Sequence, residues 1–269
     1  MFPAHAGAGA TPAAAGHILR PVSTREDWQR RLGPLYGGAV ALVSSTPWRW
    51  PTEVGEDTRS AGWVVALGVP IGLLAWAVAM LADAAGIPAP LAAILGLAML
   101  SVGGAGLVER GLAERIDHWH GHARTDRAST ATAVLALVLV TIVRAGAVAV
   151  VGPEDWLLLF LSIAVAGRWA AILLQALGDP IHEVSGRRSL VATPAPAWLT
   201  AAISAGVAAL VILALGKAAI IALALAALAA FGLGVEAQRR DAGLSAPVVA
   251  FTAAVAELLV LLVASAVFT

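Results

Sequence analysis

Two neighbouring stretches decide the fold: residues 130–151 read TATAVLALVLVTIVRAGAVAVV, and residues 155–177 read DWLLLFLSIAVAGRWAAILLQAL. At about 1.5 Å per residue, a helix of either length crosses a hydrocarbon core about 30 Å thick. Away from their ends the two stretches contain only two charged residues, Arg144 and Arg168. We therefore predict two adjacent transmembrane helices, each with one arginine inside the membrane.

The same pattern recurs on both sides of this pair. Apolar stretches of similar length predict further helices near 61–82, 88–108, 197–215, 218–235 and 246–268. The predicted fold class is all-α, a polytopic helical membrane protein with about six or seven transmembrane helices.

The N-terminal part of the chain differs from the rest. The apolar stretch at 35–47 is too short to span a membrane and predicts an interfacial or re-entrant N-terminal helix. Residues 1–34 are polar or low in complexity and predict a disordered tail. Residues 35–269 predict a single transmembrane helical domain with a polar cytoplasmic loop at 109–129.

The composition excludes several other classes of protein. Hydrophobic residues make up 59% of the chain and charged residues 13%, about half the charged share of an average soluble domain. The net charge of zero gives no electrostatic basis for binding nucleic acid. The absence of cysteine excludes disulfides, a thiolate nucleophile and a cysteine metal site. The partner that the composition predicts is the lipid bilayer.

Basic residues are distributed unevenly between the predicted loops. If the N-terminus is cytoplasmic, four polar segments face the cytoplasm and hold fourteen of the 17 Lys and Arg residues: 1–60, 109–129, 178–196 and 236–245. The loops on the other side hold only Lys217. By the positive-inside rule this predicts a multi-pass protein of the inner (plasma) membrane, with its N-terminus and polar loops cytoplasmic.

The most polar of these loops, ERGLAERIDHWHGHARTDRAS at 109–129, offers candidate metal ligands. Three carboxylates lie close together in it: Glu109, Glu114 and Asp117. Mg²⁺ binds one or two carboxylates together with substrate phosphates, so this cluster predicts a Mg²⁺ site. The interleaved arginines also allow a solvated, charge-balanced loop. The i, i+4 pair His118 and His122 leaves zinc as a further alternative.

Charges inside the apolar stretches form a second candidate site. Arg144, Arg168 and Glu257 each interrupt an apolar helix, where a charge costs about 2.5–3.5 kcal/mol to insert. Such residues face the bundle interior and pair, and Arg168 with Glu257 is a natural ion pair. Two arginines against one glutamate leave a surplus positive charge, which favours a phosphate or pyrophosphate ligand. A purely structural salt bridge is the alternative.

Several short motifs occur in a characteristic order along residues 35–268. Gly103-Gly104 precedes the acidic segment GLAERID at 111–117. Further along the chain come Arg127, Arg144, an Ala-Gly-Arg ending at Arg168, the segment VATPAPAW at 191–198, and Glu257. In this order and spacing the chain resembles the cobalamin-5′-phosphate synthase family, also called adenosylcobinamide-GDP ribazoletransferase.

The resemblance implies an integral membrane enzyme of cobalamin biosynthesis. Such an enzyme joins adenosylcobinamide-GDP to α-ribazole, or to its 5′-phosphate, releases GMP, and uses Mg²⁺. The implied substrates are a corrinoid nucleotide and a ribazole. The implied catalytic residues are Glu114, Asp117 and Arg127. The implied metal ligands are Glu109, Glu114 and Asp117, and the implied substrate-binding residues are Arg110, Arg144, Arg168 and Glu257.

Two departures from the family pattern keep other interpretations open. The first Asp of the family's acidic motif falls on Arg110, and its late Gly-Asp falls on Ala246-Pro247. One alternative is therefore a catalytically inactive relative that binds or scaffolds corrinoid or nucleotide intermediates. Another is a small-molecule transporter with a path lined by the intramembrane charges. Candidate protein partners are a second copy of the chain and other proteins of cobalamin assembly.

Overall fold

Helices account for the regular structure of the computed structural model, which describes residues 25–48, 60–120, 130–178, 195–241 and 243–268. In these segments the α-helices are α1 Arg25–Leu32, α2 Tyr36–Ser45, α3 Ser60–Ala66, α4 Gly68–Ala84, α5 Ala89–Gly103, α6 Leu107–Trp119, α7 Ala131–Ala149, α8 Trp156–Leu177, α9 Ala197–Leu215, α10 Ala218–Arg240 and α11 Ala246–Val267. Short 3₁₀ turns lie at Gly33–Leu35 and Pro153–Asp155.

Six helical stretches within the described segments are long and apolar enough to cross a membrane. They are α3 continued by α4, α7, α8 with its preceding turn, α9, α10 and α11. The pair α5 and α6 makes a seventh if it is counted as one bent span. The prediction of a polytopic all-α protein with six or seven spans is confirmed. The predicted helix at 197–215 coincides with α9, which ends at Leu215.

The predicted end of the helix at 88–108 was wrong, and so was the prediction of a loop directly after it. The first helix, α5, ends at Gly103, and a second helix, α6, begins at Leu107 and continues to Trp119. The sequence of α6 carries many charges, but one of its faces is apolar and packs against α7 and α11. An amphipathic helix therefore replaces the first half of the predicted loop. Residues 121–129 of that loop lie outside the described residues.

The disordered tail predicted at 1–34 was also wrong for its last ten residues. Residues 25–34 form α1 and most of a 3₁₀ turn. Trp28 and Leu32 pack against Tyr36 and Val40 of α2, so burial of apolar side chains holds this segment in place. Residues 1–24 lie outside the described residues.

The helix α8 is the centre of the bundle. It is buried on all sides and packs against α4, α9, α10 and α11. Glycines let the backbone of α4 approach it closely, since a Cβ on Gly68 or Gly72 would lie 2.9 Å from a carbonyl oxygen of α8. Small residues at such contacts are typical of helix packing in membranes, where close van der Waals contact drives association.

The contact between α6 and α11 is equally close. A Cβ on Gly111 would lie 2.5 Å from the Cβ of Ala250 and 2.6 Å from its carbonyl carbon. Only a residue without a side chain allows the two backbones to lie this near each other. Gly111 therefore sets the position of α6, and with it the position of Glu109 two residues earlier.

Gly111→Ala is expected to lower the stability of the protein by about 1–3 kcal/mol, because the added methyl group forces α6 away from α11. The measurement is thermal unfolding of the purified protein in detergent. Gly232→Ala in α10 is the matched control, since a Cβ at Gly232 meets no atom of the described residues within 4 Å. Equal losses in the two variants would contradict the assigned packing role of Gly111.

Candidate functional site

The site begins at the sharp bend between α5 and α6, where the two helix axes meet at 75°. The turn uses Ala105 at φ 56° and Gly106 at φ 63°, both in the left-handed region. That conformation is uncommon for a residue with a side chain, so Ala105 marks local backbone strain. Ser101, before the turn, donates a hydrogen bond to Glu109 Oε1, after it, at 2.5 Å. The bend therefore turns Glu109 back towards the end of α5.

Arg144 on α7 joins two carboxylates from other helices. Its Nη1 donates to Glu109 Oε1 at 3.3 Å, and its Nη2 donates to Glu257 Oε2 at 2.9 Å. Arg144 and Glu257 are both buried. Gly167 on α8 makes room for Glu257, because a Cβ there would overlap the glutamate side chain. The ion pairs fasten α6, α7 and α11 to one another.

Arg168 on α8 is differently placed. Its Nη1 donates to the carbonyl oxygen of Ala164 on its own helix at 2.8 Å, and its Nε is buried with no hydrogen-bond partner in the part of the chain that the structure describes. Arg168 interacts with Glu257 electrostatically. Among the described residues, however, no carboxylate lies within the 4.0 Å of an ion pair. The predicted Arg168–Glu257 ion pair was therefore wrong, since Arg144 is the direct partner of Glu257.

Glu109 also changes the charge count of the site. The sequence suggested two arginines against one glutamate, but Glu109 supplies a second carboxylate to the same cluster. Within the described part of the chain the four charges therefore balance. The cluster therefore has no surplus positive charge, but its ion pairs are unevenly distributed. Arg144 pairs with both glutamates, and Arg168 pairs with neither.

A cavity of about 540 Å³, including the part open to its surroundings, lies beside this cluster. Its polar lining residues are Ser45, Ser101, Glu109, Arg168 and Glu257. The remaining lining residues are Val64, Leu100, Gly104, Leu107, Val108, Ala171, Val249, Ala250 and Ala253. The helices that supply them are α2, α3, α5, α6, α8 and α11, together with the turn between α5 and α6. The cavity therefore has apolar walls and one charged edge.

The predicted site residues divide into two groups in the structure. Glu109, Arg144, Arg168 and Glu257 come together, although the first and the last are 148 positions apart in the sequence. Arg110 is exposed, and Glu114 is half-buried and does not line the cavity. Arg127 and His122 lie outside the described residues.

Asp117 has a structural contact of its own. It accepts a hydrogen bond from the backbone N–H of Thr130 at 3.2 Å and another from the Thr130 hydroxyl. That hydroxyl in turn accepts from the N–H of Ala133, which makes Thr130 the N-cap of α7. Among the described residues no group of three His, Asp or Glu side chains could hold a metal ion. The three-carboxylate Mg²⁺ site of the sequence analysis is thus not assembled there, and Glu109 alone of the three lines the cavity.

A second polar cluster, which the sequence analysis did not predict, ties the end of α6 to the end of α10. The buried Arg115 bonds Asp241 at 2.5 Å and lies 3.5 Å from Glu236. Trp119 donates to Glu236 at 2.9 Å, and His118 Nε2 lies 2.8 Å from Asp241 Oδ1. The partners are more than a hundred residues apart. The only local signal was the helical spacing of Arg115, His118 and Trp119.

Arg144→Met removes the shared partner of two buried carboxylates. Removing one side of a buried ion pair costs about 3–5 kcal/mol, because the remaining charge is uncompensated. We expect a correspondingly large fall in melting temperature in detergent. The double variant Arg144→Met, Glu257→Met is expected to recover part of this loss, since one stranded charge is gone. A double variant less stable than Arg144→Met alone would contradict the pairing.

Asp241→Asn tests the second cluster through its dependence on pH. Burial disfavours the ionised carboxyl, but the hydrogen bonds and charges of Arg115 and His118 outweigh it and lower the pKa of Asp241. A carboxyl with a lowered pKa adds stability above its unfolded pKa, and this stability is lost as the pH falls through the folded pKa.

The variant should therefore melt at a lower temperature than the wild type near pH 7. The difference should shrink as the pH falls below about 4, the ordinary pKa of an aspartate, towards the lower pKa that Asp241 has in the folded protein. Melting temperatures from about pH 7 to pH 3 give the measurement, with Asp83→Asn as the control. A difference that stays constant with pH would rule out this role for the charge of Asp241.

Comparisons with known proteins add one finding. The family model described as cobalamin-5-phosphate synthase matches residues 37–265 of the 269-residue chain. No curated protein and no solved structure gives a significant match. The matched range contains the bend, the cavity and all four charges of the cluster.

Proposed function

The chain belongs to the cobalamin-5-phosphate synthase family, and from that premise we propose that it catalyses the transfer of a ribazole onto a corrinoid nucleotide. It joins adenosylcobinamide-GDP to α-ribazole, or to its 5′-phosphate, and releases GMP. The family match and the transmembrane helices together make it a multi-pass membrane protein of cobalamin synthesis. The transferase reaction itself is the proposal.

The observation that carries the proposal is Arg168. Its guanidinium lies inside a membrane-spanning helix, on the wall of the cavity, without a carboxylate at ion-pair distance in the described residues. A buried cation without a close counter-charge is costly, and a bound anion would relieve that cost. Guanidinium groups bind phosphates with several N–H donors in one plane. A diphosphate substrate supplies such an anion.

The proposed reaction balances as a displacement at phosphorus. A ribose hydroxyl of α-ribazole attacks the phosphorus atom attached to the corrinoid side chain and loses its proton. A new oxygen–phosphorus bond forms, the bridge to the second phosphate breaks, and GMP leaves with the electron pair of that bond. Negative charge grows on the departing phosphate, where preorganised donors stabilise the transition state. Arg168 is such a donor, since Ala164 fixes its orientation.

Mg²⁺ is the proposed cofactor, and one oxygen atom of the site suits it. Glu109 Oε2 is buried and has no hydrogen-bond partner within the described segments, whereas Oε1 already accepts from Ser101 and Arg144. Mg²⁺ uses one or two carboxylates and completes its shell with substrate phosphates and water. When bound, the metal would neutralise charge on the diphosphate. The roles assigned to Glu114, Asp117, Arg110 and Arg127 remain predictions.

A catalytically inactive relative is the second candidate. The exposed Arg110 stands where the family's acidic motif has its first Asp, and Glu109 is the one predicted metal ligand at the cavity. A chain of this kind would bind the diphosphate at Arg168 without turnover. The transporter interpretation has less support, because Arg144 and Glu257 are bonded to each other.

We propose an inner (plasma) membrane location, with the N-terminus and the basic loops in the cytoplasm. The uneven distribution of arginine and lysine supports this orientation. Homo-oligomers and complexes with other cobalamin-assembly proteins remain candidate partnerships.

The test is GMP release from adenosylcobinamide-GDP and α-ribazole by the protein reconstituted in membranes, with and without Mg²⁺. We expect Arg168→Met to lower the rate by about 10²–10³-fold, the loss typical for a transition-state charge donor. Because no carboxylate among the described residues lies at ion-pair distance from Arg168, the variant should lose much less thermal stability than Arg144→Met. Arg239→Met, an exposed arginine on α10, is the matched control.

Loss of activity together with retained stability would support a role in binding the reacting phosphates. Glu109→Gln should raise the Mg²⁺ concentration required for release. Release by Arg168→Met at the wild-type rate would refute the role of Arg168. No release by the folded wild-type protein with verified substrates would overturn the transferase and favour the inactive relative.

A further inference from the structure

The polar side chains that line the cavity either lie at its charged edge or already donate a hydrogen bond within their own helix. Ser101, Glu109 and Glu257 are linked by hydrogen bonds, directly or through Arg144, and Arg168 interacts with Glu257. The hydroxyl of Ser45 donates to the carbonyl oxygen of Ala41 within its own helix at 2.6 Å. The rest of the lining is leucine, valine, alanine and glycine. Away from the charged edge, the one polar side chain among the described lining residues is Ser45, whose hydroxyl proton is already donated to Ala41.

The size of the cavity limits which substrate it can hold. The space of about 540 Å³ includes the part open to the surroundings, so it is an upper bound on what the cavity can enclose. A corrin macrocycle, with its cobalt, axial ligand and amide side chains, is too bulky for it. The corrinoid part of the nucleotide substrate must therefore lie outside the cavity, and only a smaller group enters.

The apolar walls decide between the two heterocycles of the proposed reaction. Guanine carries several N–H donors and a carbonyl acceptor, which lose free energy when they are buried without partners. Away from the charged edge, the walls are helix interiors, whose backbone groups are bonded within each helix. The first turn of α6, which begins at Leu107 and has N–H groups without partners in its own helix, lines the cavity beside Glu109, at the charged edge. The benzimidazole of α-ribazole has methyl groups, no N–H and a single free ring nitrogen. Its ring can be buried against alanine, valine and leucine with little loss.

We infer that the apolar part of the cavity is the subsite for the benzimidazole ring of α-ribazole, with the ribose at the charged edge. The inference rests on the proposed function and assigns one of its two substrates to the membrane interior. The ribose hydroxyl would then lie beside Glu109 and Arg168, where the diphosphate arrives from outside the cavity. Specificity for the base follows from Ala171, Val249 and Ala253, which leave the space that the ring fills.

The test enlarges a side chain that lines the apolar part of the cavity. It then measures the binding of each of the two substrates separately. Ala253→Leu places a larger side chain on the cavity wall, and Ala253→Val is a milder step. Ala266→Leu is the matched control, since Ala266 is exposed on the same helix. Binding of α-ribazole and of adenosylcobinamide-GDP to the purified full-length protein is measured by titration calorimetry in the same detergent, after thermal melts have shown that each variant is folded.

We expect Ala253→Leu to weaken α-ribazole binding by about tenfold or more, and Ala253→Val by less, because methylenes added inside a fitted apolar pocket have effects of this size. Binding of adenosylcobinamide-GDP should change by less than about twofold, and Ala266→Leu should match the wild type. If Ala253→Leu weakens the corrinoid nucleotide more than α-ribazole, or weakens neither, the inference is wrong.

The result is separable from the test of the reaction. α-Ribazole binding that depends on Ala253, without any GMP release, would keep the subsite and remove the transferase. GMP release with ribazole binding unaffected by Ala253→Leu would keep the transferase and remove the subsite. GMP serves as a competitor in the titrations. If GMP displaces α-ribazole in the absence of adenosylcobinamide-GDP, the cavity binds guanine instead.

Discussion

One arginine shared between two glutamates holds the centre of this protein together. Arg144 reaches Glu109 on one helix and Glu257 on another, all within the apolar part of the bundle. A charge in that environment must keep its partner, because a stranded one costs several kcal/mol. The rotations of α6, α7 and α11 are therefore linked. The bend after Gly103 and the absence of side chains at Gly111 and Gly167 follow from the same requirement.

The chemistry of the cavity follows from how Arg144 divides its bonds. Arg144 is bonded to both carboxylates. Among the residues that the structure describes, Arg168 therefore faces the cavity with no close counter-charge, and one oxygen of Glu109 has no partner. A neutral cluster thereby presents a positive group and a negative group at separate points on one wall. This separation suits a ligand that brings both an anion and a cation. A chain with simple one-to-one ion pairs would present neither.

Much of this architecture could be predicted from sequence, for physical reasons that differ between elements. The spans were predictable because crossing the hydrocarbon core requires long apolar helices, and the charges inside them had to face the interior. The choice of Arg144 over Arg168 as the partner of Glu257 was not predictable, since it depends on helix rotation set by glycine contacts. The sequence analysis did not predict the helix α6, because its apolar face is narrow and many of its residues are charged. The contact of Arg115 with Asp241 joins elements far apart in sequence.

The 75° bend between α5 and α6 also determines on which face of the membrane each later segment of the chain lies. If the bent pair crosses the bilayer, the number of crossings is odd and the two chain ends lie on opposite faces. If it folded back instead, every later segment would change face. Counted along the sequence, the arginines that follow α6, those that follow α8 and those at the end of α10 fall on the N-terminal face only in the odd case. The three-residue turn between α5 and α6 thus decides whether the number of membrane crossings is odd or even. It thereby decides on which side of the membrane each later loop lies.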